Sequence, residues 1–353
     1  MKNYGSNVNR EVQMLRGFAV ILVVLYHLDP NIFSLGYLGV NVFFVISGFI
    51  VHEKLLSINE RKSLYDSFRG LMAFFSRRFM RIFPSLSLMM IIAAVLLTVL
   101  IPLGKSQAKS LLLGVSALFG VSNFFAEKFA GEYFNPSPNI FLHTWSLGVE
   151  VQFYLFFGIL IFLIHILCGM SYIRSITLYL ICLLFLSITS LSLFLNIQDG
   201  LANQKVGYLM SYHAWEFILG IFAKEFILKQ KHKRDIFITT LFTSLISAIA
   251  ILCILKPVTK YQIIHMIVVL ATTLILALKI KTKKAANLSN LLHLVGDRSY
   301  SIYLWHFPLF VLAKHSPTTG ISSDNRIVPS LIAILVTCIF SELSYRYVEE
   351  KLR

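Results

Sequence analysis

Long apolar runs separated by short polar connections extend from residue 11 to residue 348. Ten of them approach the roughly 20 residues that a helix needs to cross the hydrocarbon core. They lie near 11–28, 36–53, 83–103, 145–168, 174–195, 207–228, 236–255, 260–279, 298–314 and 327–348. The pattern predicts an all-α fold: a polytopic transmembrane helix bundle of about ten spans, forming a single domain over 1–353. Residues 110–126 are also apolar, but Gly114, Ser116, Gly120 and Ser122 interrupt them. This stretch is expected to be interfacial or re-entrant, within an outer loop over 104–144.

Basic residues orient the bundle. If 110–126 does not cross, about three quarters of the 32 lysines and arginines fall on one side. The positive-inside rule makes that side cytoplasmic. Both termini then lie in the cytoplasm, and Lys231 faces inward. Charged residues make up only 14% of the chain and hydrophobic ones 57%, against about 25% charged in soluble domains. In this setting the net charge of +15 points to loops facing anionic membrane lipid, not to nucleic acid. Cys168, Cys182, Cys253 and Cys338 sit at irregular spacing inside apolar runs, so packed thiols are expected, with neither a disulfide nor a metal framework. Asp29-Pro30 follows the first run where a cleavable signal peptide would have small residues. From the ending Glu349-Glu-Lys-Leu-Arg353, no soluble domain is expected after the last span.

Polar chemistry concentrates in a few spans. An ionisable side chain at membrane depth costs roughly 2.5–3.5 kcal/mol, which marks it as a functional candidate. Arg16 and His27 share one face of the first span, about 16 Å apart along its axis. Histidine suits general-base work near neutral pH. The plainer reading has Arg16 snorkelling to the surface and His27 hydrogen-bonded at a span end. Asn41 and Ser47 bring hydrogen-bonding groups into the second span, where Gly39 and Gly48 suit close helix packing. Arg77, Arg78 and Arg81 enter the third span together. Guanidinium forks suit phosphate, although positive-inside anchoring also accounts for them. In the fourth span His143, Ser146, Glu150 and Tyr154 follow at spacings of three, four and four, which places them on one face. Gln152 points the other way. An interfacial aromatic belt accounts for Trp145 and Tyr154, but not for Glu150. Glu216 is a further acid within a span. Tyr303, Trp305 and His306 belong to the ninth. His52, His165, His232, His265, His293 and His315 stand apart from any motif and are expected to be structural or surface residues.

Taken in order, LRGFAVILVVLYH, GYLGVNVFFVISGF, RRFMRIFP, HTWSLGVEVQFY, AWEFILG, GDRSYSIYLWHFPLF and SYRYVEEKLR resemble the signature segments of the acyltransferase-3 family. These are integral membrane O-acyltransferases of the O-antigen acetylase type. The resemblance implies location in the bacterial cytoplasmic membrane. It also implies transfer of an acyl group, usually acetyl from acetyl-CoA, to a hydroxyl of a surface or lipid-linked carbohydrate. Arg16 and His27 match the family's arginine–histidine spacing, and Arg78 and Arg81 its RxxR motif. Asn41 stands where aspartate is usual, Val151 replaces a second glutamate, and His213 replaces an arginine.

On this basis His27 and Glu150 are the expected catalytic pair. Arg16, Arg77, Arg78 and Arg81 are expected to hold the donor. Asn41, Ser47, His143, Trp145, Ser146, Gln152, Tyr154, Glu216, Tyr303, Trp305 and His306 are expected to bind the acceptor or support the site, with Trp145, Tyr303 and Trp305 offering stacking faces to a sugar. Acetyl-CoA is a co-substrate, and no permanently bound cofactor or metal is expected. Direct transfer and an acetyl-histidine intermediate both fit. The alternative class is a transporter or flippase for a lipid-linked sugar, using the same buried charges as its path.

Overall fold

The structure, a computed structural model, describes residues 10–61, 63–100, 105–129, 139–196, 207–230, 259–278, 286–315 and 327–352. The predicted span 236–255 lies outside the described residues, as do Lys231, His232 and Cys253. Every other predicted span is helical over its described residues. In chain order the helices are α1 (Arg10–Leu28), α2 (Gly39–Asn59), α3 (Leu64–Leu100), α4 (Lys105–Leu118), α5 (Ser122–Phe129), α6 (Trp145–Leu167), α7 (Tyr172–Leu195), α8 (Met210–Gln230), α9 (Lys260–Ala277), α10 (Ala286–Asp297), α11 (Ser299–His315) and α12 (Ile327–Ser344). A π-helical turn over Tyr345–Glu349 continues α12. No strand occurs among the described residues. Among the described residues seven helical segments are long and apolar enough to cross a membrane, so the chain is a multi-pass integral membrane protein.

Helix α3 begins well before its predicted span. Its 37 residues reach about 55 Å at 1.5 Å per residue, more than the hydrocarbon thickness. Ser63 caps it: the Asp66 amide donates to Ser63 Oγ at 3.0 Å, satisfying an otherwise orphaned first-turn donor. Pro84 sits inside the helix without ending it. The stretch 110–126 forms two short helices, α4 and α5, of 14 and 8 residues. Between them Gly120 takes a φ of +69°, a left-handed conformation that favours glycine. Gln152 of α6 donates to the Gly120 carbonyl at 2.9 Å, tying this turn to the bundle.

Glycines set the closest helix pairs. A Cβ at Gly48 would strike the Phe217 carbonyl, and one at Gly220 the Val45 carbonyl, so α2 and α8 pack backbone to backbone. Gly17 and Gly296 do the same for α1 and α10, against the carbonyls of Leu292 and Gln13. The short helix α10 was not anticipated, because its 12 residues give no span-length run. Helices α7, α9 and α12 turn large apolar side chains outward, among them Phe185, Ile267 and Leu335, as lipid-facing scaffold should.

Candidate active site

A polar cavity lies where α1, α2, α3, α6 and α11 meet. Arg16, Ser47, Arg78, Arg81, Ser146, Glu150, Tyr154, Ser299, Tyr300 and Tyr303 line it, with Val40, Phe43, Phe44 and Ile50 among its apolar walls. Its volume is about 70 Å³, room for roughly five waters at 10–15 Å³ each. Arg16 is buried and donates to Gln13 Oε1 at 3.2 Å. The Arg78 guanidinium lies over the rings of Tyr154 and Phe74, at 5.1 and 5.7 Å from their centroids. Neither Arg78 nor Arg81 makes a hydrogen bond or ion pair to any described residue. Two guanidinium groups with unused donors therefore face one internal space.

Glu150 shares that space. Ser47 donates to its Oε1 at 2.6 Å, and the Tyr154 hydroxyl donates to the same oxygen. Hydroxyls rather than guanidinium groups hold this carboxylate. Ser146, Glu150 and Tyr154 line the cavity from one face of α6, as their spacing predicts. His143 does not continue that face, because it belongs to a 3-10 turn, Leu142–Thr144, that precedes the helix.

Tyr303 and Ser146 mark the end of the cavity nearest the histidines. Their hydroxyls are 2.7 Å apart, and Tyr303 also donates to the His143 carbonyl at 2.7 Å. Behind them three histidines gather. The His27 ring lies 5.3 Å from His306, and His306 lies 5.8 Å from His143. Phe307 packs against His27 and His143. The Nε2 of His306 is buried without a hydrogen-bond partner, and the ring nitrogens of His143, near the carbonyls of Leu304 and Ile140, meet no partner in good hydrogen-bond geometry. Lys314 caps α1 by donating to the carbonyls of His27 and Leu28 at 2.8 and 2.9 Å. His27 is thus one layer beyond the cavity wall, not on it.

A second buried acid is enclosed differently. Glu216 accepts from Asn41 Nδ2 at 3.0 Å, and its other oxygen meets His213 Nδ1 at 2.8 Å and His265 Nε2 at 3.1 Å. The His213 ring packs on Trp145, 5.5 Å away. His265 therefore does not stand apart, as its lone position in the sequence suggested. His52 likewise meets Glu225 at 2.7 Å, with both residues buried. His165 contacts Ser175 and the Arg61 carbonyl, and His293 contacts Asp297. In each case the partner comes from a distant segment or an unmarked position.

Other expected site residues lie elsewhere. Arg77 is exposed and does not line the cavity. One turn of helix places Arg78 and Arg81 on the inner side of α3 and leaves Arg77 outside it. Trp305 is only 1% exposed and packs on Phe340, so it has no face free for a sugar. Gln152 pairs with Asn123 and Gly120 and holds the α4–α5 turn. Ser299 and Tyr300 were missed. Tyr300 donates to the Ile82 carbonyl at 2.7 Å, and the Ser299 hydroxyl is unpartnered. The spacing of Tyr300 and Tyr303, three apart on one helix face, was the available signal.

The geometry defines a membrane-embedded helical bundle whose internal cavity carries unpaired cationic groups beside a histidine cluster. The chain belongs to the acyltransferase domain family, whose profile matches residues 9–346. It is 30% identical over 351 residues to the O-acetyltransferase OatA of Staphylococcus aureus, covering 96% of this chain and 56% of that protein. It is 28% identical over 375 residues to the peptidoglycan O-acetyltransferase OatA of Listeria monocytogenes, covering 99% of this chain and 56% of the relative. A third relative, the putative peptidoglycan O-acetyltransferase YrhL of Bacillus subtilis, is 28% identical over 365 residues, covering 96% and 54%. The chain thus spans about half the length of these relatives. No solved structure matches it.

Proposed function

We propose that this chain is a membrane-bound O-acyltransferase that moves an acetyl group from acetyl-CoA to a hydroxyl of a cell-surface carbohydrate. The observation that carries this reading is the pair Arg78 and Arg81, whose guanidinium donors face an internal cavity with no protein acceptor. A phosphorylated donor satisfies such groups by charge-assisted, bidentate hydrogen bonds. Family membership supplies the acyl chemistry, and the peptidoglycan O-acetyltransferases among the relatives favour a cell-wall glycan as acceptor.

In this reading the basic ends of the helices face the cytoplasm. The donor enters there, its diphosphate on Arg16, Arg78 and Arg81. Its pantetheine arm runs towards Tyr303 and Ser146. The acceptor approaches from the opposite side, past Trp145 and the histidine cluster. His27 takes the acceptor's proton as the hydroxyl oxygen attacks the thioester carbonyl. The carbon–sulfur bond breaks, and the thiolate takes the proton from His27, leaving the ester and CoA thiol. Because Tyr303 and Ser146 separate the cavity from His27, they act as a partition that the acyl group must pass. Glu150, held by Ser47 and Tyr154, sits on the donor side and tunes the charge around the thioester.

The test uses purified chain in lipid nanodiscs with acetyl-labelled CoA and a muropeptide acceptor. Label in the glycan ester is the expected result. Movement of a lipid-linked sugar without consumption of acetyl-CoA would instead favour a transporter. Label trapped on the protein without acceptor would replace direct transfer with an acetyl-histidine intermediate.

A further inference from the structure

The cavity is small beside the donor proposed for it, so the nucleotide end must lie outside the cavity's mouth. A second, more open cleft of about 300 Å³ is lined by Arg10, Asn290, His293, Leu294, Asp297 and Arg298. Its walls continue into those of the cavity. Helix α1 carries Arg10 in the cleft and Arg16 in the cavity, about 9 Å further along its axis. On the opposite wall, Arg298 immediately precedes Ser299 and Tyr300 of the cavity. The Gly17–Leu292 and Gly296–Gln13 approaches lock α1 against α10, which fixes the two sides of the cleft.

The cleft has hydrogen-bond donors to spare. Arg10 uses Nη2 alone, towards Ser289 Oγ at 3.3 Å and Asn290 Oδ1 at 2.5 Å. Its Nε and Nη1 have no partner among the described residues. His293 meets Asp297 through Nδ1 at 3.4 Å, and its Nε2 has no described partner. Arg298 is taken up by Glu342, to which Nη2 donates at 3.2 Å, and by the Leu294 carbonyl. The acids of this region thus face His293 and Arg298, and the spare donors belong to Arg10 and His293.

We propose that this cleft is the subsite for the 3′-phosphoadenosine end of the donor, with Arg10 and His293 Nε2 binding its terminal phosphate. The proposal rests on the acetyl-CoA reading above. Binding of acetyl-CoA and of acetyl-dephospho-CoA, which lacks only that phosphate, is measured on the full chain in nanodiscs. The native chain prefers acetyl-CoA by about tenfold, equivalent to about 1.4 kcal/mol. Arg10→Gln and His293→Ala bring that ratio towards one and leave acetyl-dephospho-CoA binding unchanged, which also reports that the variants are folded. A native ratio of one, or a full ratio in both variants, overturns the subsite but not donor binding. If Arg10 and His293 instead hold a lipid phosphate, the variants lose co-purifying anionic lipid and keep the donor ratio, which also overturns it. Failure to bind either donor removes the acetyl-CoA reading and the subsite together.

Discussion

The buried histidines fall into two groups with opposite surroundings. His213 and His265 sit on Glu216, and His52 sits on Glu225. His27, His143 and His306 instead lie among one another and Phe307. An imidazole bound to a carboxylate is held in one orientation and tautomer, because the acid occupies one nitrogen. Buried ring nitrogens without a hydrogen-bond partner occur in both groups, at His52 Nδ1 and His265 Nδ1 as at His306 Nε2, so the groups differ in their neighbours: carboxylates in the first, other rings in the second. Leaving such nitrogens unpaired costs about 1–3 kcal/mol each, a cost that both groups carry. On the proposed mechanism the first group holds helices together and the second serves the chemistry, so substitutions in the two groups should have different effects.

The largest effect that separates the groups is expected at His27. His27→Ala should lower acetyl transfer by about 10²–10⁴-fold, the usual contribution of a general base, with unchanged thermal unfolding in detergent. Labelled transfer by a stably inserted variant is the readout. Turnover at the native rate would end the general-base mechanism and merge the two groups.

The reverse pattern is expected at Glu216. Removing one member of a buried charged network leaves its partners uncompensated, at a cost of about 3–5 kcal/mol. Glu216→Ala should lower the unfolding temperature and yield, while each folded molecule keeps measurable transfer. A variant of native stability that has lost transfer would move Glu216 into the reacting machinery.

Much of this contrast was legible in the sequence, but unevenly. Arg16, His27, Glu150 and Glu216 declared themselves as ionisable groups inside apolar runs, and the regular spacing of Ser146, Glu150 and Tyr154 gave their common face. Which histidine met which acid was not legible. His265 lies 49 residues from Glu216 and His52 lies 173 from Glu225, so the folded packing alone decides those pairs. Helix α10 was hidden because a short helix against α1 needs neither the length nor the apolarity of a span. Trp305 looked like a sugar platform because periodicity gives a helix face without saying which neighbour covers it. Here that neighbour is Phe340.

The smallest effects test the arginines, where adjacent residues have different environments. Arg81 lines the cavity with unused donors, so Arg81→Ala should raise the KM for acetyl-CoA about tenfold and change kcat little. That split marks uniform binding of donor and transition state. Arg77, four residues earlier, is exposed and off the cavity. A solvated surface charge contributes about 0–1 kcal/mol or less, so Arg77→Ala should leave KM and kcat within about twofold of native. The two variants remove the same charge from the same helix, so any general effect of weakening positive-inside anchoring would appear in both. Only a site-specific role for Arg81 makes them differ. Equal increases in KM would show that the cluster acts as a diffuse cationic surface and that the cavity does not select among its arginines.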